Sequence, residues 1–221
     1  MPRKVIIIIL VGFCHVFGAQ RLLAERPINE LPMYGGQHDP QVPEDKKASD
    51  GAAKLGWEYY DKGDYGTAMK RFNQAWMFNR KNAAAYWGFG VILGERAREE
   101  APEKNLRESI RYLEKAQELS SRDARLLVDL AFSEMLLGSF LQDDRQTGFQ
   151  EHFNKARTLL QSSEKKDRIY PLLHFNWSLL NFFEGNYAQA LEKLNTAKKL
   201  GFAPPPGYEE DLKNKKESVG K

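Results

Sequence analysis

The side chains able to do chemistry are few and badly placed for it. The single cysteine, Cys14, lies in an apolar run near the start of the chain, and one thiol excludes both a disulfide framework and a multi-cysteine zinc site. The histidines His15, His38, His152 and His174 are scattered, with no two at ligand spacing. His152, between Glu151 and Phe153, reads as a half-exposed helix residue, and His174, between Leu173 and Phe175, as a buried, hydrogen-bonded one. Gly88-Phe89-Gly90 runs on into Val91 inside an apolar helical pattern, so it is not a phosphate loop. The acidic runs Glu99-Glu100 and Glu209-Glu210-Asp211 read as solvated faces, and Lys213, Lys215 and Lys216 are too few to specify nucleic acid. Neither a catalytic constellation nor a metal or cofactor site follows from these residues, and the chain is not expected to be an enzyme.

The whole-chain numbers agree. Hydrophobic residues at 42% suffice for a buried core, and 33 basic against 30 acidic residues leave +3, too little to imply a nucleic-acid or acidic-lipid partner for the chain as a whole. The length of 221 residues suits one domain or one array.

Residues 1–18 have the layout of an export signal: Arg3 and Lys4, then apolar residues from Val5 to Phe17, then Gly18 and Ala19. Small residues favour cleavage before Ala19, with an uncleaved inner-membrane anchor as the alternative; the run is short for a spanning helix. Phe13 ahead of Cys14 argues against lipid modification of that cysteine. Cleavage would remove Arg3 and Lys4, lowering the charge from +3 to +1. The expected destination is an exported space, most simply a bacterial periplasm. Residues 19–48, with Pro27, Pro32, Pro40, Pro43 and Gly35-Gly36, read as a solvated linker whose Leu31-Pro32-Met33-Tyr34 piece offers the alternative of docking.

From Ser49 a helical period begins. Leu55, Gly56 and Tyr59 mark one helix, Lys62-Gly63-Asp64-Tyr65 a turn, and Ala68, Phe72 and Ala75 a second helix. Small Gly56 and Ala68 permit close approach, with Leu55, Tyr59 and Phe72 filling the space around it. A second unit has Gly90, then Ser109, Leu113 and Ala116. A third has Leu127, Leu130 and Ala131, then Phe149, Phe153 and Ala156, and a fourth has Trp177 and Ser178, then Ala190, Leu194 and Ala197. Gly56 to Ala75 is 19 residues, as is Ser178 to Ala197, whereas Gly90 to Ala116 is 26, which predicts a turn lengthened by seven around Arg98–Pro102.

On these residues the chain resembles the tetratricopeptide repeat (TPR) family, whose period of about 34 separates Gly56 from Gly90. Arg80 stands where that family usually has proline. The resemblance implies an all-α, TPR-like α-solenoid of about four helix-turn-helix repeats over 49–204, with a polar cap or tail at 205–221 after Pro204-Pro205-Pro206. It also implies an interaction module that holds a peptide or protein in a concave groove lined by the first helix of each pair. The implied groove positions are Ala53, Trp57, Tyr60 and Asp61; Trp87, Val91, Gly94 and Glu95; Val128, Phe132, Met135 and Leu136; and Phe175, Leu179, Phe182 and Phe183. The set is aromatic and apolar, which points to an apolar partner, with packing between helices as the competing use of the same side chains. Ala53 and Trp57 stand where carboxylate-gripping members of the family carry polar groups, so that mode is not expected. The fourth unit's first helix is apolar nearly all round, which suggests burial on both faces or self-association through the last repeat.

Overall fold

The computed structural model describes residues 26–36, 41–120 and 123–219. Among these the chain is all-helical, with nine α-helices and no strand. They are α1 (Lys46–Asp61), α2 (Tyr65–Phe78), α3 (Ala83–Arg96), α4 (Pro102–Leu119), α5 (Ala124–Asp143), α6 (Phe149–Lys166), α7 (Pro171–Phe183), α8 (Tyr187–Lys199) and α9 (Tyr208–Val219). Consecutive helices pack as pairs, α1 on α2, α3 on α4, α5 on α6 and α7 on α8. The chain divides into two units, Met1–Asn82 and Ala83–Lys221. The expected signal or anchor at 1–18 lies outside the described residues.

In the first unit, Asp45 and Asp64 start α1 and α2 by accepting the N–H groups of Ala48 and Thr67, each at 2.9 Å. The Thr67 N–H, together with the Thr67 side chain, lowers the Asp64 pKa. Gly63 adopts φ +77°, a conformation that costs a residue with a Cβ but not glycine. Gly56 lies flat against Phe72, and a Cβ there would come within 2.6 Å of the ring. The expected filling of this contact is corrected at Leu55, which is 39% exposed, and at Tyr59, which is only half-buried; Phe72 is fully buried, and Ala52, Ala53, Met69 and Ala75 are the other buried apolar side chains near it in these two helices.

Part of the segment read as a solvated linker is folded. Ile28–Glu30 and Pro32–Gly36 form two short turns against α2. The buried Asn73 amide donates to the carbonyl oxygens of Asn29 at 2.9 Å and Leu31 at 2.8 Å, Lys70 pairs with Glu30 at 2.9 Å, and Tyr34 leans on Trp76. The docking alternative for Leu31–Tyr34 is thus the one the fold adopts.

In the second unit the same device recurs with a different register. A Cβ on Gly90 would meet Leu113 at 2.5 Å, and one on Gly138 would meet Phe153 at 2.7 Å. The close approach of the third pair is therefore at Gly138, two helical turns beyond Ala131. Of the seven residues expected to lengthen the α3–α4 turn, most instead extend α4 at its start, because Pro102 is well tolerated in a first turn. Buried hydroxyls tie the pairs together. Ser109 donates to the Gly90 carbonyl at 2.8 Å and contacts Ser133 of α5 at 2.9 Å, and Ser163 donates to the Ala124 carbonyl at 2.9 Å.

Helix α7 is buried continuously from Leu172 to Asn181. The material covering it belongs to this chain. Phe202 stacks on Phe175 at 4.5 Å, and Tyr208 stands edge-on to Phe175 at 5.4 Å with its hydroxyl 2.8 Å from Ser178. The α9 helix is the expected polar cap, anchored by buried Tyr208 and Leu212.

Candidate functional site

The implied groove residues separate by exposure. Met135, Phe175 and Leu179 are at most 1% exposed, and Ala53 and Val128 are also core. These side chains are consumed by packing, which corrects their placement in a groove: Phe175 is covered by Phe202 and Tyr208, and Met135 and Leu179 face inward. Trp87 is only 8% exposed, and its indole N–H donates to Asp129 Oδ2 at 2.7 Å. It fixes α3 against α5 and is not a free anchor. Gly94 also turns inward, since a Cβ there would sit 3.5 Å from the Ser109 hydroxyl.

In the first unit Trp57 and Tyr60 are half-buried and Asp61 is exposed. Trp57 packs edge-on to Phe72 at 5.0 Å and to Tyr60 at 5.6 Å, and Tyr60 reaches Tyr65 at 5.4 Å. These aromatics form a semi-exposed cluster toward the C-terminal end of α1, the helix that Asp61 closes.

In the second unit Val91 and Glu95 of α3 and Phe132 and Leu136 of α5 keep part of their surface in solvent. Glu95 is held by Arg98 at 3.0 Å. The α5 face carries one more residue that groove spacing from Ala131 does not reach: Phe140, also half-buried. Its signal in the sequence is simple, since Phe132, Leu136 and Phe140 recur every fourth residue. Each such step advances about 40° around a helix, so the stripe winds from beside Asp129 toward α4. There Phe140, Ala101 and Pro102 line an open hollow of about 550 Å³ rimmed by Glu103, Lys104, Arg107 and Glu108. Arg107 and Glu103 pair at 2.8 Å across one turn. The result is an apolar stripe ending in a hollow with a charged rim, which matches the core-and-rim layout of interaction surfaces.

The two histidines behave as structural groups. His152 Nδ1 lies 2.5 Å from Glu134 Oε2, tying α6 to α5, and His174 Nε2 lies 2.7 Å from the Arg168 carbonyl. Burial raises the Glu134 pKa, an effect opposed by its His152 hydrogen bond and the nearby charge. Among the described residues, no three His, Cys, Asp or Glu side chains converge as a metal site, and no helix is long and apolar enough to cross a membrane.

No protein-family model matches the chain, and comparison with curated proteins gives no match. The fold and surface define an all-helical protein of packed helix pairs with a semi-exposed apolar stripe on α5.

Proposed function

We propose that this chain is a non-enzymatic interaction module, a TPR-like α-solenoid exported to a periplasm-type space, acting there as an adaptor or assembly factor for a protein or peptide partner. The observation that carries the reading is the Phe132, Leu136 and Phe140 stripe. Three large apolar side chains on one face of α5 stay half in water, whereas Phe175 of α7 is covered by Phe202 and by Tyr208 of α9. Aromatic and aliphatic anchors of this kind contribute most of the binding energy where a partner covers them. An extended or helical segment with apolar residues at regular intervals fits the stripe, and its polar flanks meet the Glu103–Glu108 rim. The alternative, self-association through the last repeat, draws less support, because the apolar surface of α7 is occupied by its own chain.

Photo-crosslinking tests the assignment. Benzoyl-phenylalanine placed at Leu136 is expected to give one discrete adduct in the protein's native extract, and the same group at exposed Thr158 of α6 none. Identical adduct ladders from both positions, or none from Leu136, would show that the α5 face is not the docking surface.

A further inference from the structure

The turn joining α6 to α7 presents Ile169, which at 75% exposure stands out against the other large apolar side chains on the described surface. Nothing about the turn is slack. The Ile169 N–H donates to Asp167 Oδ1 at 3.1 Å, the Asp167 N–H donates to the Ser163 carbonyl at 2.9 Å, and buried His174 places Nε2 2.7 Å from the Arg168 carbonyl oxygen. The backbone on both sides of Ile169 is therefore fixed from within, and the side chain is held outward.

Three cations precede it in the chain, two of them, Lys165 and Arg168, lining one shallow hollow with Gln161 and Glu164. Lys165, Lys166 and Arg168 are exposed, and none of the three has an ion-pair partner among the described residues. The adjacent Glu164 lies 3.7 Å from Lys193 of α8, and Asp167 directs Oδ1 at the Ile169 N–H. Arg125, chelated by Asp123 at 3.0 and 3.1 Å, lies at the same end of the α5–α6 pair, because Ser163 bonds the first carbonyl of α5. Lysines in a last turn also suit the helix dipole, but that does not account for Arg168 beyond the helix or for Ile169.

A protein partner that buried one projecting isoleucine would have to supply a pocket around it. A bilayer needs none: its headgroups accept the cations, and the apolar boundary lies a few ångströms below. The geometry points to the α6–α7 turn as a contact for an anionic phospholipid surface, with Lys165, Lys166 and Arg168 at the phosphates and Ile169 inserted between them. The modest net charge of the whole chain does not oppose this, because screening limits attraction to charges near the surface.

The test uses the full chain with Cys14→Ser and Ile169→Cys, labelled at position 169 with an environment-sensitive nitrobenzoxadiazole. Vesicles containing phosphatidylglycerol are expected to raise and blue-shift its emission, and pure phosphatidylcholine vesicles to leave it unchanged. Arg3 and Lys4 of a retained N-terminal segment also favour anionic vesicles, so the assignment rests on variants at the turn that leave that segment unchanged, and an undiminished response in them would overturn it. In the same labelled background, Lys165→Gln, Lys166→Gln and Arg168→Gln are each expected to weaken the response about fivefold, and together about a hundredfold. Their thermal melts should match the parent, since all three side chains are exposed. No response to anionic vesicles, an equal response to neutral ones, or a response to polyglutamate in place of vesicles would overturn the assignment, the last by making the partner an acidic protein.

Discussion

Glu134 has only 2% of its side chain exposed and is satisfied mainly by His152. Burial raises its pKa, so the folded protein holds the Glu134 proton to higher pH than the unfolded chain does. The sign follows from linkage: this group's contribution is most favourable below the ordinary carboxyl range near 4.5 and is lost as pH rises through its raised native value. Glu134→Gln should therefore flatten the fall in melting temperature above about pH 4.5 relative to wild type. Identical slopes in a pH series of thermal melts would show that the group is not coupled to folding. The carboxylates of Asp64, Glu151 and Glu209 are shifted downward by their hydrogen bonds and act in the opposite sense, so the Glu134 effect is read as a difference between variant and wild type. Gly138 offers a second residue-scale test. A Cβ there meets Phe153 at 2.7 Å and the Phe149 carbonyl at 3.2 Å, so Gly138→Ala should cost about 1–3 kcal/mol by overpacking. Urea unfolding measures it, and an unchanged midpoint would place the α5–α6 crossing elsewhere.

At the scale of helices, turn chemistry and period are readable from the chain. Gly63 with Asp64, Gly185 before α8, and Gly201 after it all punctuate helices where residue type alone puts the breaks. Three features are not readable. The register of the third pair is hidden because Ala131 and Gly138 lie two turns apart on nearly the same face, and a periodic pattern does not distinguish them. Docking of Ile28–Gly36 depends on the Asn73 amide reaching back more than forty residues, which local spacing does not encode. The burial of Phe175 depends on the segment C-terminal to α8, because its apolar character is the same in a groove as under a cap. That cap gives a test at this scale. The Tyr208 hydroxyl, pushed to high pKa by burial, bonds Ser178 in the core. Tyr208→Phe should cost about 1 kcal/mol, and Tyr208→Ala several times more by also exposing Phe175. Equal, negligible losses in denaturant titrations would mean that α9 does not seal α7.

In the molecule as a whole, the proposed function joins an exported chain, an array of helix pairs and a binding stripe. Export is tested at the other end from the site: N-terminal sequencing of the protein recovered from its host should read from Ala19, and a start at Met1 would favour the retained anchor. The α5 stripe is the part on which the function rests. Its residues are half-exposed, so their truncation should spare the fold while removing the partner, a combination that core residues such as Met135 do not give. The most direct measurement is the affinity of an apolar peptide, selected against the purified chain from a random display library, for wild type and for Phe132→Ala/Leu136→Ala. With the melting temperature unchanged to within a few degrees, binding by the double variant should be at least about thirtyfold weaker, the loss of one strong anchor's worth of energy. Full affinity in the double variant would contradict a partner seated on α5.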